Sequence, residues 1–424
     1  MKPILPLLLR RSLLASLLVP IISLSFSASA ADFMVDASQY SDPDNNIYST
    51  LEELVSSVAL VAGDTVILNN DDASLTTGLT VPVNFRSADP AALCAVDLSG
   101  LGKNPLYDLG AGEYTLEMDS VIWSNGAAGV IRTADDNVSL EITGEVQFLN
   151  NHVDNSNNSA YGGAIDMEGD HATLTLGNNA AFSGNYASSD SYSISTSSGG
   201  AIYMQGVNFF LTIRNGAIFT NNYSSTYGGA IYLQGITTDN SSRFLAFTHD
   251  VLFSGNITGG TFTQHNDGSF SVVNGVANAI HVDGTNHLQL AAAQGKEVRF
   301  NDPITSAAYF SSTENVTLSL NQYTDDDGIS HATDGTVIFS GELYQGDDAH
   351  LVASRYSDFK GQTTLYGGFL ILEHNVVFGN AGLRDDTSMT LEHGTLEITG
   401  GSVINAASFS ITNNDVVLRP GTSA

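Results

Sequence analysis

The tetrapeptide Gly-Gly-Ala-Ile occurs three times, at Gly162-Gly163-Ala164-Ile165, Gly199-Gly200-Ala201-Ile202 and Gly228-Gly229-Ala230-Ile231. A degenerate copy follows at Ala277-Asn278-Ala279-Ile280. A second motif, Phe-x-x-Asn, alternates with it: Phe148 and Asn151, Phe182 and Asn185, Phe219 and Asn222, Phe253 and Asn256. Successive motif phenylalanines lie 34, 37 and 34 residues apart. Self-similarity at such a period is the signature of a stacked repeat, in which no unit buries its apolar side alone.

The unit from Gly199 to Asn222 shows what is stacked. Ala201-Ile202-Tyr203-Met204 reads as a short strand before the turn Gln205-Gly206. Phe209 to Ile213 is a second strand, ended by Arg214-Asn215-Gly216, and Ala217 to Thr220 a third, ended by Asn221-Asn222. Three short strands, two tight turns and one variable loop make one coil of a parallel β-helix. Glycine serves the coil corners, where positive φ or close backbone approach is needed. The phenylalanines are expected to stack inward and the asparagines to bond along the stack. The same motifs are also candidates for a receptor-facing surface, since a rigid coil can present a repeated edge.

Outside the repeats the chain still reads as β. Ser49 to Val58 is the one convincing helix: Thr50 and Glu53 form a capping box, and Leu51, Leu54, Val55 and Val58 an apolar stripe. Placed before the first strand, it would cover the open end of the solenoid. Short strands continue at 288–290, 298–300, 336–339, 369–372, 389–391 and 395–398, between turns containing Gly, Asn and Asp. The expected organisation is a signal peptide over 1–30, a cap and first coils over 31–119, repeat coils over 120–285 and looser coils over 286–424. The fold class is all-β, a right-handed parallel β-helix with a short N-terminal capping helix.

Compartment follows from the first thirty residues. Lys2, Arg10 and Arg11 precede an apolar run from Leu13 to Ile22, and Ala28-Ser29-Ala30 supplies a cleavage site, so export through the Sec pathway is expected. The run is too short to span a bilayer and Pro20 interrupts it. The net charge is −31, and loss of the leader's three basic residues takes it to about −34. Such a field repels nucleic acid. A single cysteine, Cys94, excludes an intrachain disulfide and a CxxC metal site.

Catalytic signatures are missing. Asp135-Asp136, Asp325-Asp326-Asp327 and Asp347-Asp348 read as solvated turns, as does Asp42-Pro43-Asp44-Asn45-Asn46. His281 and His287 form no HExxH, there is no GxSxG, and Cys94 has no neighbouring histidine. Trp123, in Trp123-Ser124-Asn125-Gly126, looks like a diverged Phe motif and reads as core. We expect no enzyme, cofactor or metal.

The alternating Gly-Gly-Ala-Ile and Phe-x-x-Asn blocks resemble the repeats of the chlamydial polymorphic outer membrane proteins. The stretches Leu288 to Ile304 and Gly335 to Glu342 are similar to that family's middle region, so the resemblance covers roughly residues 120 to 410. It implies an autotransporter passenger at the outer membrane surface or secreted, acting as an adhesin towards a host-cell receptor, protein or glycan. Family members end in a translocating β-barrel with a terminal aromatic residue. This sequence ends at Thr422-Ser423-Ala424 with no room for one. The expectation is a truncated product, an incomplete record, or export by another protein, with surface attachment open. Self-association through the ends of the solenoid is a further expectation. The alternative is a secreted β-helical polysaccharide lyase or hydrolase, and a third reading is the remnant of a truncated gene.

Overall fold

The computed structural model describes residues 30–69, 73–154, 159–189, 197–235, 243–248, 250–265, 269–283, 287–306, 316–324, 329–358, 361–379, 387–413, 415 and 417–420. The leader, Asp325-Asp326-Asp327 and most of the 188–198 stretch lie outside them.

Strands dominate and stack in parallel sheets, giving a parallel β-helix. One face is a 14-stranded sheet, which takes up Thr173–Leu176, Phe210–Ile213, Arg243–Thr248 and His287–Ala292 in succession. A 12-stranded sheet collects Val146–Leu149, Ala181–Ser183, Ile218–Thr220, Val251–Ser254 and Glu297–Phe300. A seven-stranded sheet holds Ile131–Thr133, Ile165–Glu168, Ile202–Gly206, Ile231–Gly235 and Ile280–Asp283. The three strands read from each repeat therefore occupy three different sheets. Each pairs only with its counterpart one coil away, in strict register: Ile165↔Ile202↔Ile231↔Ile280, Leu174↔Leu211 and Phe182↔Phe219↔Phe253.

A fourth side has no counterpart in the sequence reading. His152–Asp154, Tyr186–Ser188, Tyr223–Ser224 and Ile257–Thr258 pair in parallel directly after each motif asparagine. Val276–Ala277 closes that sheet antiparallel to Ile257–Thr258. Between them the hairpin Thr261–Gln264/Phe270–Val273 folds back over two coils. There Phe262 stacks on Tyr223 with ring centroids 4.7 Å apart and tilts against Tyr186 at 5.0 Å.

Alternation decides the core. Inward positions such as Leu174, Leu176, Leu211, Ile213, Ile202 and Met204 are fully buried in one cluster that runs the length of the solenoid. Burying each such side chain stabilises by about 1.5–3 kcal/mol, enough to hold a disulfide-free fold together.

The helix forms as Leu51–Ser57, with Thr50 Oγ1 accepting from Glu53 N at 3.1 Å and Leu51 and Leu54 buried. Glu53 accepts from Ser49 N (3.2 Å) and Ser49 Oγ (2.9 Å), so the box closes one residue early. The helix follows two strands, Asp32–Val35 and Ile47–Tyr48, rather than preceding the first. Ile47–Tyr48 is the edge of the 14-stranded sheet, and the helix packs beside it as part of the same core. All six downstream strands form, in the 14- and 12-stranded sheets. The 3₁₀ turn Glu342–Tyr344 and the short helix Ala349–Ala353 interrupt them.

Candidate functional site

Every predicted site residue falls on one of two corners, and all of them point into the solenoid. Phe148, Phe182, Phe219 and Phe253 are 0% exposed, as are Asn151, Asn185, Asn222 and Asn256. The phenylalanines form a ladder with centroids 4.7, 4.9 and 4.7 Å apart, prolonged to Phe300 at 4.7 Å and Phe339 at 5.2 Å. Such pairs add about 0.5–1.5 kcal/mol each beyond burial. Trp123 shares the row, in register with Phe148 and fully buried.

The asparagines form a parallel ladder whose bonding is complete. Asn185 Nδ2 donates to Phe148 O (2.9 Å) and Asn222 Oδ1 (3.0 Å). Its own Oδ1 accepts from Asn151 N (3.0 Å) and Asn151 Nδ2 (3.1 Å). Asn222 repeats the pattern with Phe182 O (3.0 Å) and Asn256 Oδ1 (2.9 Å). A primary amide suits the place because it donates twice and accepts twice, the full demand of a buried coil corner. The ladder ends on Asp302, where an acceptor is all that is needed. Asp302 Oδ2 takes Asn256 N (2.9 Å) and Nδ2 (2.7 Å), and Oδ1 takes Gly255 N (2.8 Å) and Tyr344 Oη (2.7 Å). Burial raises the Asp302 carboxyl above its ordinary value, and these four donors pull it back. Burial and the adjacent carboxylate raise the Tyr344 hydroxyl, which keeps it a donor.

At the other corner Gly162, Gly199 and Gly228 have φ of 54°, 69° and 63°, the left-handed region that glycine enters freely. The second glycines, Gly163, Gly200 and Gly229, meet the neighbouring coil: a Cβ on Gly200 would lie 2.1 Å from Gly229 O. Ala164, Ala201, Ala230, Ile165, Ile202 and Ile231 are 0% exposed.

The expectation that these motifs also form the receptor-facing surface is therefore corrected. Phe-x-x-Asn and Gly-Gly-Ala-Ile residues are coil-forming, and no partner can reach their side chains while the fold is intact. Outward residues are the interposed ones: Leu149-Asn150, Ser183-Gly184, Thr220-Asn221 and Ser254-Gly255. The second of each pair adopts positive φ (54°, 65°, 54° and 76°), which turns the chain so that both Phe and Asn face inward. Asn and Gly alternate there for a steric reason. A Cβ on Gly184 would lie 2.3 Å from Asn150 Oδ1, and one on Gly255 2.5 Å from Asn221 Oδ1.

Between this row and the Thr261–Val273 hairpin runs an open groove of about 360 Å³. Asn150, Ser183, Gly184, Asn221 and Gly255 line one wall, and Ile257, Ser269, Phe270 and Val272 the other. Among these described residues no side chain is ionisable. Behind Phe270 lie Tyr186 and Tyr223, at 5.5 and 5.6 Å, so the hairpin wall is braced by the core of the fourth side. Sequence reasoning took this whole segment as variable loop and missed the groove. The Asn-or-Gly pattern before each motif asparagine was the available signal.

The remaining candidates resolve into structure. Asp42 stands at the N-cap position of the 3₁₀ turn Pro43–Asn45 without a side-chain bond to its backbone, and its Oδ2 accepts from Asn45 Nδ2 at 2.8 Å. Asp135 Oδ2 accepts from Ala111 N (3.1 Å) and Asp136 Oδ1 from Asp170 N (2.8 Å), tying turns of neighbouring coils. His281 and His287 sit on different sheets, His281 bonding Thr305 Oγ1 at 2.8 Å and His287 bonding Thr317 Oγ1 at 2.5 Å. Cys94 is buried, its thiol donating to Leu68 O at 3.4 Å. Among the described residues no group of His, Cys, Asp and Glu could hold a metal. Asp166, which sequence reasoning passed over, lies on the outer face of the seven-stranded sheet beneath neighbouring side chains. Burial and the nearby Glu168 push its carboxyl well above the usual range, and Arg132 Nε at 3.8 Å only partly offsets them.

The repeat of the Chlamydia polymorphic membrane protein family matches residues 179–205 and 216–234, each stretch running from one Phe-x-x-Asn block through the next Gly-Gly-Ala-Ile block. The chain carries that family's repeat in these two stretches. It is 29% identical over 208 residues to the probable outer membrane protein pmp10 of Chlamydia pneumoniae, covering 41% of this chain and 21% of that one. It is 27% identical over 290 residues to pmp13 of the same organism, covering 66% and 23%. With pmp8 the identity is 31% over 165 residues, 39% of this chain and 16% of the relative. The matched region thus spans about a fifth of these polymorphic membrane proteins. No solved structure matches. The relatives are outer membrane proteins by name.

Proposed function

We propose that the chain is the passenger of a surface adhesin, exported through the Sec pathway, and that it binds a host-cell receptor through the outward row of the Phe-x-x-Asn corner. The observation that carries this reading is the division of labour within the motif. Phe and Asn build the coil, while the two interposed residues vary (Leu-Asn, Ser-Gly, Thr-Asn, Ser-Gly) and face outward beside a braced groove. A rigid coil can carry different residues at such outward positions without disturbing the core. Self-association through the solenoid ends belongs to the same proposal.

The test coats beads with residues 31–424 and offers them to cultured epithelial cells. Ser183→Arg/Thr220→Arg is expected to reduce bead binding at least about tenfold with circular dichroism unchanged, because both side chains face outward. Alanine at the four motif phenylalanines is expected to abolish binding together with the fold. Unaltered binding by the arginine variant, or a complete lack of binding by the parent, would overturn the reading.

A further inference from the structure

The groove at the Phe-x-x-Asn corner specifies a ligand chemistry. We propose that it is a binding site for a neutral saccharide, an inference that rests on the adhesin reading and names the class of receptor it takes.

Charge is the first argument. The chain has 45 acidic residues and a net charge of −31, yet none of the nine lining residues is ionisable. Among the described residues no cation lines the groove to offset the unfavourable field that an anionic ligand meets, and no carboxylate lines it to pair with a cation. An uncharged ligand is what remains.

Polar and apolar groups are also segregated across the groove. One wall offers the amides of Asn150 and Asn221 and the hydroxyl of Ser183, which donate and accept. Neither amide is bonded to another side chain among the described residues. The opposite wall is the apolar strip Ile257, Phe270 and Val272. A sugar ring carries a hydroxyl rim that both donates and accepts, and a C–H face that packs on an aromatic or aliphatic surface. An apolar peptide would leave the amides unpaired, at a cost that disfavours it.

Third, the polar wall is preorganised. Asn150 and Asn221 sit two coils apart on one row, so their amides are about 9–10 Å apart along the solenoid axis. Their backbones are fixed in the left-handed region by the coil, and the glycines between them leave room for the side chains. Groups held in place by a rigid scaffold lose little freedom on binding. A volume of about 360 Å³ is at the small end of the range of ligand pockets and accommodates one or two sugar rings, with longer chains extending along the row.

The experiment titrates residues 31–424 with lactose, cellobiose and N,N′-diacetylchitobiose, with 3′-sialyllactose as the anionic counterpart, by calorimetry. At least one neutral disaccharide is expected to bind about tenfold or more tightly than sialyllactose. Ser183→Trp, which fills the groove from an outward position, is expected to weaken that binding at least about tenfold. Asn221→Gly keeps the left-handed backbone and removes only the amide, so it guards against a folding defect in the first variant; about a fivefold loss is expected. Equal binding of sialyllactose, failure of all three neutral sugars, or indifference to both variants would overturn the proposal. The same variants on beads separate the two readings. Cell binding that survives without any sugar binding rejects the saccharide site and leaves the adhesin reading standing. Sugar binding without cell binding rejects the adhesin reading and leaves the site.

Discussion

Gly200→Ala is expected to destabilise the repeat region by about 4 kcal/mol or more, placing it among the most damaging single changes in the chain. The added Cβ would sit 2.1 Å from Gly229 O, 2.5 Å from Tyr223 O and 2.6 Å from Tyr223 N, all backbone atoms of the next coil. None can swing aside as a side chain could, so relief requires the coils to separate where their ladders hold them at strand spacing. Gly295→Ala is the control. Gly295 has positive φ (75°), which Gly200 does not, but nothing lies within 4 Å of a Cβ there, so only the left-handed backbone cost of about 1–2 kcal/mol applies. Urea unfolding followed by far-UV circular dichroism compares the two. Equal midpoints for the two variants would mean that close approach of coils is not why the motif carries two glycines.

The second large effect is expected at Asn222. Asn222→Ala leaves Asn185 N and one hydrogen of Asn185 Nδ2 without their acceptor, takes a donor from Phe182 O, and leaves Asn256 Oδ1 only the backbone N–H of residue 222, all in a fully buried corner. Unsatisfied buried groups cost about 1–3 kcal/mol each, and with partial relaxation the loss should be about 3–5 kcal/mol. Its neighbour behaves oppositely. Asn221→Gly, one residue earlier, is outward and should change stability by less than about 1 kcal/mol. Thermal unfolding of the pair reads the difference directly, and a mild Asn222→Ala would show that the ladder is not fully buried in solution.

These two corners show what sequence could and could not convey. The strands of each coil were legible because Ile202, Leu211 and Phe219 recur in register with their counterparts, and because turns with Gly or Asn separate them. Stacking of the phenylalanines and bonding of the asparagines along the axis followed from repetition alone. Orientation at the Phe-x-x-Asn corner was harder. Simple alternation would place Phe219 and Asn222 on opposite faces, and only the left-handed Asn221 between them turns both inward. The fourth side was illegible because Tyr223–Ser224 is a two-residue strand of mixed polarity, defined by its neighbours rather than by its own pattern. The hairpin over Tyr186 and Tyr223, and with it the groove, depends on one irregular insertion, Gly259 to Gly275, that no other repeat shares. Repetition could not announce it. The pair Asp302 and Tyr344 was hidden for a similar reason, since 42 residues separate a carboxylate from the hydroxyl that completes it.

The repeated motifs form the interior while the residues between them meet the outside, and thiol accessibility distinguishes the two sets. Thr220→Cys, Phe219→Cys and Ala230→Cys would each be reacted with a soluble disulfide reagent under native conditions, with the parent, whose Cys94 is buried, as background. Circular dichroism would confirm that each variant folds, and Ala230→Cys provides an inward position with little loss of volume. Thr220→Cys is expected to react at the rate of a free thiol while Phe219→Cys and Ala230→Cys react at least about a hundredfold more slowly, limited by opening of the coil. Labelling of folded Phe219→Cys or Ala230→Cys as fast as Thr220→Cys would contradict it, and would return the motif residues to the surface as candidates for receptor contact.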